Sequence, residues 1–284
     1  LTVLGVAWSF TFNWRWLGVI WGLGAGMLLL AASLTIPRRV LLVLSLGFVA
    51  LHSLLLPLSG LTLPVALYAP GIVDAPVLGQ MLVIYPVLPW AAMMALGYAA
   101  GPWLYPQGTP AQSKLLLAGM VALVGFIALR ASGLGDPNVQ AVAVPSWQSI
   151  ASFVDVDKYP PSSLYALLML GIECLLLAVF ASRIGNSKAL HWLRTFGHVP
   201  FFFYLLHLFA IHGLAWMLAQ VLHWPHAHLF WHEPDPKMMP APGYGLDLPG
   251  IYITWIAVLV LLYPLCAAFA HYKRTHSAWW LRLL

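Results

Sequence analysis

Charge is what this sequence has least of. Only 7% of its 284 residues are Asp, Glu, Lys or Arg, against 62% hydrophobic, and its mean hydropathy is +0.87. A soluble core of that size needs a far more charged surface, so the composition excludes a soluble domain and reads as an integral membrane protein in a lipid bilayer. Cysteine is nearly absent as well. Cys174 and Cys266 both fall in apolar stretches, which excludes a disulfide framework. GxSxG, phosphate-loop and dinucleotide motifs are lacking, so soluble-enzyme chemistries find no support. The net charge of +5 and pI near 9.3 would suit nucleic acid, but the cations are scattered among apolar runs and form no basic stripe. A nucleic-acid partner is not expected.

What the sequence does have is long apolar runs, and these predict an all-α polytopic transmembrane helix bundle. A partial helix at 1 to 12 is followed by seven full spans at about 16–36, 40–58, 77–100, 113–131, 162–182, 196–222 and 251–270. A span takes about 20 residues, and the first run ends too soon at Asn13-Trp14-Arg15. The chain is therefore read as starting inside a helix, as the C-terminal portion of a larger domain. No repeat and no linker divides residues 1–284, which read as one membrane domain.

With the turn at Pro37-Arg38-Arg39 placed in the cytoplasm, alternation gives that side Arg38, Arg39, Lys114, Arg183, Lys188, Arg194, Lys273, Arg274 and Arg282. The other side takes Arg15, Arg130, Lys158 and Lys237, which satisfies the positive-inside rule and puts the C-terminus in the cytoplasm. Asp74, Asp136, Asp155, Asp157, Glu233, Asp235 and Asp247 all fall outside. The two long outer connections, 132–161 and 223–250, are rich in Pro and Trp, as functional loops often are.

Polar residues inside the apolar runs are the candidates for chemistry. In FGHVPFFFYLLHLFAIHG, at 196–213, helical spacing puts Pro200, Tyr204, His207 and Ile211 on one stripe. An imidazole facing lipid lacks partners, so His207 is expected to face other helices or a wet cavity. The plain alternative is a packed histidine. Glu173 is the one acid inside a span, where a carboxylate costs about 2.5–3.5 kcal/mol. It is expected to pair with His207 near mid-membrane; the alternative is a protonated carboxyl bonded to its own surroundings. Lys158-Tyr159-Pro160-Pro161 enters a span, where proline suits the first turn. Lys158 and Tyr159 are candidates for holding an anionic or sugar-like substrate. Tyr85-Pro86-Val87-Leu88-Pro89-Trp90 reads as a helix kinked by two prolines, with Trp90 a packing or ring-stacking residue. HWPHAHLFWHE, at 223–233, matches no closed metal motif, and no metal is expected. His52 and His212 are weaker candidates.

The segments YPVLPWAAMMALGYAAG (85–101), FVDVDKYPPSSLYALLMLG (153–171), FGHVPFFFYLLHLFAIH (196–212) and the run from Gly243 to Leu284 resemble a family. It is the domain-of-unknown-function 1624 group of bacterial membrane proteins, related to heparan-α-glucosaminide N-acetyltransferase. The resemblance implies a helical acyltransferase of the bacterial inner membrane, taking acetyl or another acyl group from cytosolic acyl-CoA to an extracytoplasmic sugar or amine. It implies a further N-terminal helical block, which holds the histidine essential to the animal enzyme. On this reading Arg183, Lys188 and Arg194 hold CoA, Lys158, Tyr159, Tyr204 and Trp90 line the acceptor site, and His207 serves as general base or as a hydrogen-bond partner in the passage between them. A proton-coupled transporter using Glu173 and His207, or a non-catalytic membrane scaffold, is the competing class.

Overall fold

The computed structural model describes residues 14–55, 65–75, 79–133, 147–182, 187, 190–226, 229–230 and 244–282. The chain divides into two compact units, residues 16–186 and residues 187–284 with 1–15.

The first described element is a short strand, β1 (Trp14–Leu17), and helices α1 (Val19–Ser33), α2 (Arg38–Leu55) and the single turn α3 (Val65–Tyr68) of the larger unit follow. Strands β2 (Gly71–Ala75) and β3 (Gly79–Val83) form an antiparallel hairpin that pairs Gly71 with Val83 and Ala75 with Gly79. The sheet order is β1-β3-β2. Four helices follow: α4 (Val87–Leu104), α5 (Gln112–Ala131), α6 (Trp147–Val154) and α7 (Ser163–Phe180).

Small residues decide which helices meet. A Cβ on Gly119 of α5 would lie 2.7 Å from the Leu175 side chain and 3.0 Å from the Gly171 carbonyl, and one on Gly171 would lie 2.9 Å from Leu123. The two helices thus touch backbone to side chain, as membrane helices do where no water drives them together. Leu41 of α2 packs with Ala95 and Ala99 of α4. Phe126 of α5 packs with Leu164 and Leu168 of α7.

These contacts give the unit two ends. Arg38 at the start of α2 meets Tyr98 late in α4, and Lys114 at the start of α5 meets Trp103 in its last turn. At the other end, the close of α2 reaches the start of α7 through His52 and Ser163. The start of α4 reaches the same place through Tyr85 and Tyr159. With 20 residues, α5 sets the two ends roughly 30 Å apart.

In the smaller unit, α8 (His191–His198), α9 (Pro200–Val221) and α10 (Leu248–Thr275) precede a 3-10 turn at Trp279–Arg282. Val199, Cys266 and Ala270 form its buried core under Phe196, Phe202, Phe203 and Phe269. Asp247 caps α10 by accepting from the Gly250 N–H at 3.0 Å.

The chain is mainly helical, but a three-stranded sheet corrects the all-α expectation. The run expected as a span from 77 is a hairpin strand first, and its helix starts only at Val87. Pro86 is the N-cap and Pro89 lies in the first turn, where no intrahelical N–H is needed. The two prolines therefore start this helix and do not kink it; the interior proline is Pro102. The run expected at 196–222 is broken at Val199, with Pro200 opening α9. The connection at 132–161 contains α6, a helix missing from the sequence reading. Among the described residues, α5, α7, α9 and α10 are long and apolar enough to cross a membrane. The partial helix expected at 1 to 12 lies outside the described residues.

Candidate functional site

Two Tyr-Pro dipeptides build the most chemically endowed cluster. Tyr85-Pro86 leads into α4 and Tyr159-Pro160 leads towards α7, so each tyrosine precedes a helix. The bend at 158–161 is closed by a bridge between Lys158 and Pro161 and by Ser162 N–H donating to the Asp157 carbonyl at 2.8 Å. Ser162 then caps α7 by accepting from the Tyr165 N–H. Tyr85 is set by the Leu17 carbonyl, which accepts its N–H at 3.3 Å, and by Gly22, whose missing Cβ would sit 3.0 Å from the Tyr85 Cβ.

The Tyr85 and Tyr159 hydroxyls lie 3.2 Å apart and their rings meet edge to face at 5.3 Å. Lys158 Nζ stands 5.3 Å from the Tyr159 ring centre and 5.9 Å from that of Tyr85. Trp90 lies 5.1 Å from Tyr85 and 6.1 Å from Tyr165, ring centre to ring centre. Its indole N–H is buried with no partner among the described residues. A buried donor without an acceptor costs about 1–3 kcal/mol, so this one is suited to an arriving acceptor atom. The structure thus brings together Lys158, Tyr159 and Trp90, and adds Tyr85 as their centre. Tyr-Pro also occurs at 105–106 and 263–264, so the shared wording by itself does not single out Tyr85.

Beside this cluster, His52 is only 2% exposed. Its Nδ1 faces the Phe48 and Val49 carbonyls at 3.1 Å, and its Nε2 faces the Pro161 carbonyl. Ser163 donates to the Val49 and Ala50 carbonyls at 2.9 Å, and its N–H is accepted by Ser53 at 2.9 Å. These bonds fasten α2 to the start of α7. Tyr68 donates its hydroxyl to the His52 carbonyl at 3.0 Å, and burial holds that phenol above its ordinary range. Arg130, 7% exposed, donates to the carbonyls of Ser152 (2.6 Å), Phe153 (3.0 Å) and Asp155 (2.9 Å). It caps the C-terminus of α6 with a cation, the favourable sign for that end of a helix dipole.

The remaining candidates lie elsewhere. In the smaller unit, Tyr204 and His207 do share a side of α9, their rings 5.2 Å apart. His207 Nδ1 bonds to the Tyr204 carbonyl, which only accepts, so Nδ1 is the donor and Nε2 is left for another partner. Phe203 stacks on the same imidazole at 5.4 Å. His212 is buried, with Phe230 edge-on at 6.1 Å. Arg194 is exposed on α8; Arg183 and Lys188 lie outside the described residues, as do His228, His232 and Glu233. Glu173 is an exposed residue of α7 in the larger unit, with no hydrogen-bond or ion-pair partner among the described residues.

The fold thus defines an integral membrane protein whose larger unit is a helix bundle with an aromatic, hydroxyl-rich and cationic cluster at one end. Residues 1–131 match the family model of the heparan-α-glucosaminide N-acetyltransferase catalytic domain. This is the family the sequence resembles, and Tyr85 and Trp90 fall inside the matched region, whereas Lys158, Tyr159, Glu173 and His207 lie beyond it. No curated protein and no solved structure matches the chain.

Proposed function

We propose that this chain is an acyl-CoA-dependent membrane acyltransferase, moving an acetyl or other acyl group to a sugar or amine on the far side of a bacterial inner membrane. The observation that carries the reading is the match of residues 1–131 to an N-acetyltransferase catalytic family. The two ends of the larger unit support it. One gathers cations at helix starts, as a cofactor rich in phosphate requires; the other gathers phenols, an indole and one lysine, as a polyhydroxylated acceptor requires.

In this reading seven full spans carry the chain across the membrane and the C-terminus is cytoplasmic. Arg183, Lys188 and Arg194 attract CoA, while Lys158, Tyr159, Trp90 and Tyr204 hold the acceptor. His207 is the general base and Glu173 a second catalytic group. The acceptor amine forms a C–N bond to the thioester carbonyl as the C–S bond breaks. The amine proton passes to His207 Nε2, and the leaving thiolate is protonated to free CoA. A positioned base contributes about 10²–10⁴-fold to such a step.

Purified full chain in nanodiscs, given labelled acetyl-CoA and glucosamine, is expected to place label on the amine. His207→Gln is expected to lower kcat by about 10²–10⁴-fold with CoA binding retained. Absence of any CoA binding or acetyl transfer in the nanodiscs, with solute uptake by the same chain in sealed proteoliposomes, overturns the reading in favour of transport.

A further inference from the structure

His52, which the acceptor cluster does not use, is bonded in a way that fixes how many protons its ring carries. It lies in the last turn of α2 and is 2% exposed, out of reach of solvent. Its Nδ1 is 3.1 Å from both the Phe48 and the Val49 carbonyl oxygens, and its Nε2 meets the carbonyl of Pro161, itself buried and 109 residues further on. Both ring nitrogens therefore face groups that only accept. A neutral imidazole has one N–H and one lone pair, whereas an imidazolium has two N–H groups and no lone pair. In the neutral form a lone pair points at a carbonyl oxygen, so only the charged ring satisfies both sides. His207 is the contrast: one of its nitrogens meets a carbonyl, and a neutral ring suffices.

Burying a cation is costly unless hydrogen bonds and local dipoles offset it. The last turn of a helix offers both, since its carbonyls carry the negative end of the helix dipole. Phe48 stacks on the ring at 5.5 Å with the planes within 2°. The ionisable groups on the elements that meet here are Asp157, Lys158 and Tyr159 of the bend, Tyr165 and Glu173 of α7, Tyr68 of α3, and Tyr85 and Tyr98 ahead of and within α4; Arg38 and Arg39 lie at the far end of α2. Tyr68 donates to the His52 main-chain carbonyl, and none of these groups is bonded to the imidazole among the described residues. Main-chain oxygens hold the charge. Of the three, the Pro161 carbonyl is the one outside α2, and Pro161 closes the bend by bridging to Lys158.

We propose that His52 is a positioning residue, an imidazolium that clasps the Lys158–Pro161 bend to the close of α2 and makes the Tyr85, Tyr159 and Lys158 cluster firm in acid and loose in base. As pH rises and the ring gives up a proton, one of its two donors becomes a lone pair facing a carbonyl. The stabilisation is thus present at low pH and lost at high pH. What the cluster then binds rests on the acyltransferase reading; the clasp does not.

The full chain in nanodiscs, labelled with ring-¹⁵N histidine and carbonyl-¹³C proline, is read by solid-state NMR, which counts the protons on the imidazole in contact with a proline carbonyl. That ring is expected to carry protons on both nitrogens at about pH 6 and on one at about pH 9. Over the same range, hydrogen exchange across the bend and the first turn of α7, corrected for its intrinsic rate, is expected to quicken about tenfold. His52→Gln has no proton to lose there and is expected to abolish that change. Its KM for glucosamine is expected to stand about tenfold above wild type in acid, with the ratio falling towards one in base and CoA affinity unchanged. The amine's own titration is common to both forms and cancels in the ratio. A ring with a single proton at about pH 6 overturns the clasp without any variant having to fold, and so does exchange that stays equally pH-dependent in His52→Gln. A charged ring and pH-linked exchange, with no acetyl transfer by any form, uphold the clasp and remove the acyltransferase reading.

Discussion

At the scale of single residues, Tyr85 shows how a glycine far away in sequence shapes a site. Its ring has room because Gly22 presents no Cβ, which would stand 3.0 Å from the Tyr85 Cβ. Gly22→Val puts branched bulk where backbone-attached atoms cannot move aside. The expected outcome is a shifted Tyr85, loss of its hydroxyl contact with Tyr159, and a KM for acceptor raised about tenfold with CoA affinity unchanged, since overpacking of this kind costs about 1–3 kcal/mol. Tyr85→Phe separates the hydroxyl from the ring: it is expected to raise the same KM by less. Steady-state kinetics with acceptor and donor varied in turn reads both. A variant with wild-type KM for acceptor removes Tyr85 from the site.

The sequence could nominate Trp90, Lys158 and Tyr159 because aromatic and basic residues at a span's mouth stand out against an apolar background. It could not nominate Tyr85, because what makes that residue central is a meeting with a partner 74 positions later. Arg130 was read only as a charge on the outer side. Two of its three carbonyl partners, Ser152 and Phe153, belong to a helix that the proline-rich connection conceals, since α6 is only eight residues long, and the third, Asp155, directly follows it.

At the scale of elements, that same arginine is the tie between α5 and α6. Three charge-assisted bonds to main-chain carbonyls leave nothing to replace them when the side chain is removed. Arg130→Met keeps most of the aliphatic stem and loses every donor. It is expected to lower the stability of the larger unit by about 2–4 kcal/mol, with α6 released from α5. Thermal unfolding in detergent measures the first, and hydrogen exchange across 147–154 the second. Unchanged protection over those residues would show that α6 is held by its apolar face alone.

Pro86 and Pro89 teach the same lesson about elements. Proline breaks a helix from within and starts one from its first turn, and the sequence does not state where the first turn is. The hairpin at 71–83 moves that turn to Val87 and converts a supposed kink into a helix start.

At the scale of the whole molecule, the two ends of the larger unit lead to a topological expectation. If α5 crosses the bilayer, as its length and composition allow, Gln107 and Tyr159 face opposite compartments. Single cysteines placed at these positions, in a chain with Cys174 and Cys266 replaced by Ala, are expected to react with a membrane-impermeant maleimide from opposite sides of sealed vesicles. Labelling of both from one side would remove the separation of donor and acceptor on which the proposed transfer depends. The same experiment at His276 tests the cytoplasmic C-terminus.

Membrane character was settled by the sequence unaided, and so, to within about five residues, was the position of the four helices long and apolar enough to cross a membrane, α5, α7, α9 and α10. Hydropathy is a local property: about 20 apolar residues in a row exclude an aqueous surface whatever the rest of the chain does. The association of Tyr85 with Tyr159, of Arg38 with Tyr98 and of Arg130 with the close of α6 was decided by tertiary structure alone. Those pairs arise where helices come close enough to touch, and between α5 and α7 closeness depends on Gly119 and Gly171 facing each other, a relation between distant positions that no window of sequence contains.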